Sequence, residues 1–109
     1  MTDDVMDVTD RIERLELFEE RLGVQLEGLS AFVERGFLTV RGELHPRNGT
    51  ELNQDTELVV AAYDATSRVI GTASNYFTSE DFFGIETFEL SINLPIATVA
   101  RVRVYPKKA

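Results

Sequence analysis

Cysteine is absent from this 109-residue chain. Its absence excludes disulfides, iron–sulfur clusters, thiolate zinc sites and a cysteine nucleophile. Small extracellular sandwiches often carry a bridge, so a cysteine-free chain points toward the cytoplasm. Tryptophan is also absent, and histidine occurs once, at His45. A serine triad or a histidine-based metal site would have to be built on that single ring. His45 stands at a predicted strand end before Pro46, and spacing assigns it neither an acidic partner nor a nucleophile; it is read as a solvated loop histidine. There is no Gly-rich phosphate loop, since Gly36, Gly42 and Gly49 are isolated. No apolar run approaches the roughly 20 residues of a membrane helix. The start, MTDDVMDVTD, lacks the basic and apolar stretches of a signal peptide.

Positive charge is scarce. Eleven Lys and Arg stand against 19 Asp and Glu, a net charge of −8. Residues 1–22 hold eight of the acids and three of the arginines, a net of −5, so the acidity gathers at the N-terminus. A negative chain repels phosphate backbones and anionic bilayers, which argues against nucleic-acid and membrane partners.

What is present is 43% hydrophobic composition, enough for one core in one domain. Five short apolar and β-branched runs, FLTVRGEL, TELVVAAY, RVIGTASNYF, IETFELSINL and TVARVRVY, are each closed by a turn or polar break. Such spacing predicts an all-β sandwich or small barrel. Leu38, Val40 and Leu44 alternate with Thr39, Arg41 and Glu43, and Phe88, Leu90, Ile92 and Leu94 form a second inward row. Residues 58–62 are apolar on both faces, the mark of a central strand. Asp64-Ala65-Thr66-Ser67 joins that strand to Arg68–Phe77 as a hairpin, and residues 78–84 read as a crossover loop. Pro46 and Pro95 are expected to stop strands, and Thr98–Tyr105 is the last strand. Val24–Val33 is a first strand with a break near Gly28.

Ahead of these strands, Asp10 and Glu13 have capping-box spacing. Ile12, Leu15, Phe18 or Glu19, and Leu22 recur near helical spacing, and Gly23 sits at a C-cap position. Residues 11–22 are therefore predicted to form a three-turn amphipathic helix, against a competing reading as two alternating strands. The resulting division is an acidic N-terminal segment over 1–22 with its helix, and a β-sandwich over 23–109.

Val40-Arg41-Gly42-Glu43-Leu44-His45-Pro46-Arg47-Asn48-Gly49, then Val60-Ala61-Ala62-Tyr63-Asp64, then Val69-Ile70-Gly71-Thr72-Ala73 together resemble the FxLYD domain family. The similarity spans about residues 37–105. Val60 and Ala62 stand where that family has Phe and Leu, so Tyr63-Asp64 is the part of the motif kept. The resemblance implies an immunoglobulin-like antiparallel sandwich and no catalytic residues. Without the family, Gly42 reads as a bulge or a close approach, Tyr63 as a ring on the core with a hydrogen-bonding hydroxyl, and Asp64 as an Asx-turn acceptor.

The expected function is a non-enzymatic protein-interaction or structural module without a cofactor. Phe77, Phe82 and Phe83 are candidates for a docking patch or for a plug at the sandwich end. Ile12, Leu15 and Leu22 on the predicted helix are candidates for packing on the sandwich, self-association or partner docking. The alternative is a calcium- or small-ligand-binding module using acidic loops, with Asp55, Glu80 and Asp81 as weak candidates for metal ligands. Asn48-Gly49-Thr50 fits a glycosylation sequon and is read as a turn.

Overall fold

The computed structural model describes residues 5–94 and 98–109. The strand stop expected at Pro95 lies outside the described residues. Among these described residues eight strands fold into two sheets. They are β1 (Val5–Asp7), β2 (Ile12–Arg14), β3 (Val24–Glu34), β4 (Phe37–Pro46), β5 (Thr56–Tyr63), β6 (Val69–Phe77), β7 (Glu86–Asn93) and β8 (Arg101–Lys108). One sheet runs β1-β3-β4-β7 and the other β2-β8-β5-β6. Pairing is antiparallel throughout except for β2, which runs parallel to β8 with Ile12 opposite Val102. The α-helix α1 (Glu16–Leu22) lies between β2 and β3.

The five sequence runs all contribute strands: β4 and β7 present one apolar and one polar face, and the run apolar on both faces becomes β5, laddered between β8 and β6. Leu38, Val40, Leu44, Leu58, Val60, Ala62, Phe88, Ile92, Val102 and Val104 meet in one interior, with Leu90 half-buried against it. Fully burying an aliphatic side chain of this kind contributes roughly 1.5–3 kcal/mol. The β3–β4 turn is two residues, Arg35 and Gly36, both at positive φ (52° and 81°). This is the conformation whose twist matches a right-handed hairpin. The break expected near Gly28 is a shift of register between Glu27 and Ser30.

The strand order departs from the immunoglobulin pattern. Immunoglobulin sandwiches place their second and third strands in different sheets. Here, with β1 and β2 counted as one split first strand, the second and third are β3 and β4, which are ladder neighbours. The observed architecture is a two-sheet, all-β sandwich with one short helix.

The N-terminal segment differs most from expectation. The predicted helix over 11–22 is a 3-10 turn at Thr9–Arg11, the strand β2, and then α1. Asp10 makes no capping bond. Ile12, Glu13 and Arg14 instead find β8 beside them, and a ladder to an existing strand outcompetes a marginal first helical turn. Gly23 does end the helix, in the left-handed region at φ 69°. Nor does residue 22 divide the fold, because β1 belongs to one sheet and β2 to the other. Val8, wholly buried, sits where the chain changes sheets and donates its N–H to the Ala31 carbonyl.

Two strand ends also run further than predicted. β8 begins at Arg101, with Ala100 exposed, and continues through a buried Pro106 to Lys108. Proline is tolerated where a strand is locally an edge, and β2 has already ended at Arg14, opposite Val104. β4 likewise extends to Pro46, past the point where β7 begins opposite Leu44.

Candidate interaction surface

The crossover between sheets, residues 78–85, holds the most exposed aromatic ring among the described residues. Its base is tied down at several points. Asp55 Oδ1 accepts the Ser79 N–H at 2.8 Å and its hydroxyl at 3.1 Å. Thr78 Oγ1 donates to Asp81 Oδ2 at 3.1 Å, and the Phe82 N–H donates to the Thr78 carbonyl. The Gly84 N–H reaches the Thr50 carbonyl at 2.8 Å. Phe77 and Phe82 are buried and meet edge to face, with centroids 6.0 Å apart. On this anchored loop Phe83 is 77% exposed and Ile85 55%. Of the three phenylalanines nominated from sequence, two plug the sandwich and one points to water. Ile85 was not nominated, although its parity was readable: with Phe88 and Ile92 inward, Ile85 falls on the wet side.

The nominated helix residues turn inward. Ile12 and Leu22 pack against the core, and Leu15 is half-buried just ahead of α1. The exposed apolar residues there are Leu17 and Phe18, the latter edge-on to Tyr105 at 5.8 Å. Packing on the sandwich is the first of the readings given for these side chains; because α1 begins only at Glu16, Ile12 reaches the core from β2 and Leu22 from the helix.

Glu19 is the residue that sequence reasoning passed over. Its side chain is fully buried. It takes a bidentate pair from Arg14, Nη2 to Oε1 at 2.7 Å and Nε to Oε2 at 3.2 Å, and accepts the Leu26 N–H at 3.0 Å. β1 pairs with β3 only at residues 32–34, so Leu26 lies on an uncovered stretch of that edge. The Glu19 carboxylate supplies the acceptor that the missing strand would have supplied. The signal available was a charged residue on an apolar helical stripe.

Tyr63 corrects a further expectation. Its ring lies on the outer face of the second sheet, not on the core, with the Arg101 and Arg103 guanidinium groups 5.1 and 5.0 Å from its centroid. Its hydroxyl accepts from Arg103 Nη1 at 3.4 Å. Strand parity forces this, because Leu58, Val60 and Ala62 take the inner face. Asp64 is an Asx-turn acceptor: Oδ1 receives the Arg68 N–H at 3.0 Å, the Thr66 N–H at 2.9 Å and the Thr66 hydroxyl at 2.8 Å. The Arg68 amide, then the Thr66 donors, hold its carboxyl below the usual carboxylate range. Gly42 is a close-approach glycine. A Cβ there would lie 2.7 Å from Leu29 Cδ2 and 2.7 Å from Phe88 Cζ.

His45 Nε2 lies 3.0 Å from Glu43 Oε1 on the outer face of β4. The acidic loop residues do not converge. Asp55 spends Oδ1 on Ser79, Asp81 bonds Thr78, and Glu80 is exposed. Among the described residues no group of three or more His, Asp or Glu side chains is placed to hold a metal ion. An open concavity of about 600 Å³ lies on the outer face above Gly42, and its Arg41 is already paired with Glu89 and stacked on Phe32.

No protein-family model matches the sequence, and no curated protein matches it. Among solved structures the chain is similar to the crystal structure of a DUF1425 family member from Shewanella sp. pv-4, at 20% identity and a TM-score of 0.51, over 79% of this chain and 78% of that one. At that identity the likeness speaks to the fold alone, and it agrees with a β-sandwich without extending to FxLYD membership.

Proposed function

We propose that this protein is a non-enzymatic protein-interaction module that docks a partner protein through the β6–β7 loop, with Phe83 as the anchor and Ile85 beside it. The observation that carries the reading is a 77% exposed phenylalanine held on a loop fixed by Asp55, Thr50 and the Phe77–Phe82 pair. Removing such a ring from water contributes roughly 1.5–3 kcal/mol. Because the loop is tied down, little ordering cost is subtracted from that gain. Aromatic side chains at fixed positions are what dominate binding energy at protein interfaces. Glu80, Asp81 and Glu86 lie within three residues of Phe83 in the chain, so the fitting partner has an apolar pocket with a basic rim. A net charge of −8 supports a protein partner over nucleic acid or an anionic membrane, and the lack of cysteine supports a cytoplasmic setting. The FxLYD resemblance belongs to the same proposal for its Tyr63-Asp64 motif alone, since the strand order is not the immunoglobulin one. Its support is that Tyr63 and Asp64 close β5 with defined structural roles.

The test is affinity capture from the native host's lysate with the wild type and Phe83→Ser side by side, after melts show that both fold alike. A stoichiometric protein retained by the wild type and lost with Phe83→Ser is the expected result. Equal retention by both, or turnover of a small molecule by the purified protein, overturns the proposal.

A further inference from the structure

Strand β6 (Val69–Phe77) is the outer strand of its sheet, laddered to β5 on one side and, among the described residues, to nothing on the other. Its sequence, VIGTASNYF, holds no charge and no proline. The other sheet edges are blunted: β1 and β2 are three residues each, the stretches of β3 and β8 they leave uncovered carry Glu27 with a register shift and Pro106-Lys107-Lys108, and β7 carries Glu86 and Glu89. Short length, charge and proline are the devices that keep sheet edges from pairing. A nine-residue edge without any of them, about 30 Å long, presents a free row of N–H and C=O groups.

We propose that β6 is a self-association edge: a second copy of this chain adds its own β6 antiparallel about a two-fold axis at Ser74, joining the two four-stranded sheets into one. The inference is independent of what Phe83 binds. What selects a second copy over a foreign strand is self-complementarity, the requirement of an isologous interface. Thr72, Ser74 and Tyr76 share the outer face, opposite Ala61, Val59 and Glu57 on β5. With Ser74 on the axis, each Tyr76, 64% exposed, comes to lie against Thr72 of the other copy. The inner-face residues Ala73 and Asn75 face each other likewise, so no side chain changes face. The charges match as well. Arg68 precedes β6 and Glu80 and Asp81 follow it, all exposed. An antiparallel two-fold brings the basic end of each strand to the acidic end of the other, twice. A ladder of this length buries less than the roughly 800 Å² per partner of a standard stable interface, so the dimer is weak and concentration-dependent.

Sedimentation equilibrium over a concentration series tests this with three proteins. The wild type is expected to dimerise. Ser74→Lys sets two ammonium groups against each other across the axis on a solvent-exposed face, and is expected to weaken the dimer at least about tenfold while leaving the melting temperature unchanged. Ser74→Cys supplies the chain's one thiol and is expected to give a disulfide dimer under mild oxidation, whereas Ser91→Cys, on the outer face of the other sheet, stays monomeric. A wild type that is monomeric up to about 1 mM overturns the proposal. So does a dimer that Ser74→Lys leaves intact, or equal cross-linking through the two cysteine variants. Phe83→Ser leaves the dimer unaffected, which separates this result from the fate of the docking loop.

Discussion

At the residue scale the decisive group is Glu19. Removing it strands the Arg14 guanidinium and leaves the Leu26 N–H without its acceptor inside the fold. Glu19→Ala is expected to lower stability by roughly 3 kcal/mol, read by urea unfolding. Glu19→Gln keeps an acceptor for Leu26 and is expected to lose less. Equal stability for all three proteins would show that the carboxylate ties nothing together. The close-approach glycines give a graded prediction. At Gly42 an added methyl meets the far ends of Leu29 and Phe88, which can move, so Gly42→Ala is expected to cost about 1–3 kcal/mol. At Gly71 it meets Ile92 Cγ2 more closely, on a β-branched side chain that is stiff at χ1, so Gly71→Ala is expected to cost more. Calorimetry that ranks the two in the opposite order contradicts this account of sheet packing.

Asp64 carries a pH prediction. Its carboxyl is lowered in the folded state by the Arg68 and Thr66 donors. A lowered folded pKa means that its stabilisation is present above the unfolded value and is lost as pH falls through the folded one. Stability is therefore expected to decline as pH drops below the ordinary carboxylate range. Asp64→Asn keeps the acceptor oxygen but has no proton to bind, so its acid decline is expected to be shallower in melts from pH 6 down to about pH 2. An identical acid slope would remove Asp64 from the explanation.

At the scale of elements, what was legible was what periodicity can carry. The period-2 rows of β4 and β7 were readable because their inner and outer faces differ in polarity over eight or more residues. β2 was not readable. Three residues cannot display a period, and Ile12 and Leu15 happen to share helical spacing with Glu19 and Leu22 of a real helix. The presence of β8 beside them is a tertiary fact with no local sign. The loop was legible only in part for a similar reason: Phe82 and Phe83 are adjacent, and the loop backbone alone decides which is inside. Tyr63 was misplaced because an apolar run on both faces of β5 hid its parity until the neighbouring strands were known. A consequence follows for truncation. A chain lacking residues 1–22 loses β1, β2, Val8 and Glu19 together, and is expected to show no cooperative melt by circular dichroism. Survival of the melt at an unchanged midpoint would mean that this segment is an appendage.

At the scale of the molecule, residues 5–22 act as a clasp: one strand in each sheet, a buried Val8 at the crossing, and Glu19 fastening α1 to β2 and β3. That clasp and the tied-down crossover loop make a rigid body that holds Phe83 out to water. The acidic loops have their own roles in this body, with Asp55 bonded to Ser79. Millimolar calcium, or a chelator, is therefore expected to leave the melting temperature unchanged, and a rise with calcium would revive a metal-binding role.

Native-state hydrogen exchange by NMR tests the clasp most directly. The amides of Val8, bonded to Ala31, and of Leu26, bonded to Glu19, are expected to exchange as slowly as that of Val60 in the central strand, all through global unfolding. Exchange at Val8 and Leu26 several orders of magnitude faster than at Val60 would contradict it, because the N-terminal segment would then open while the sandwich stayed closed.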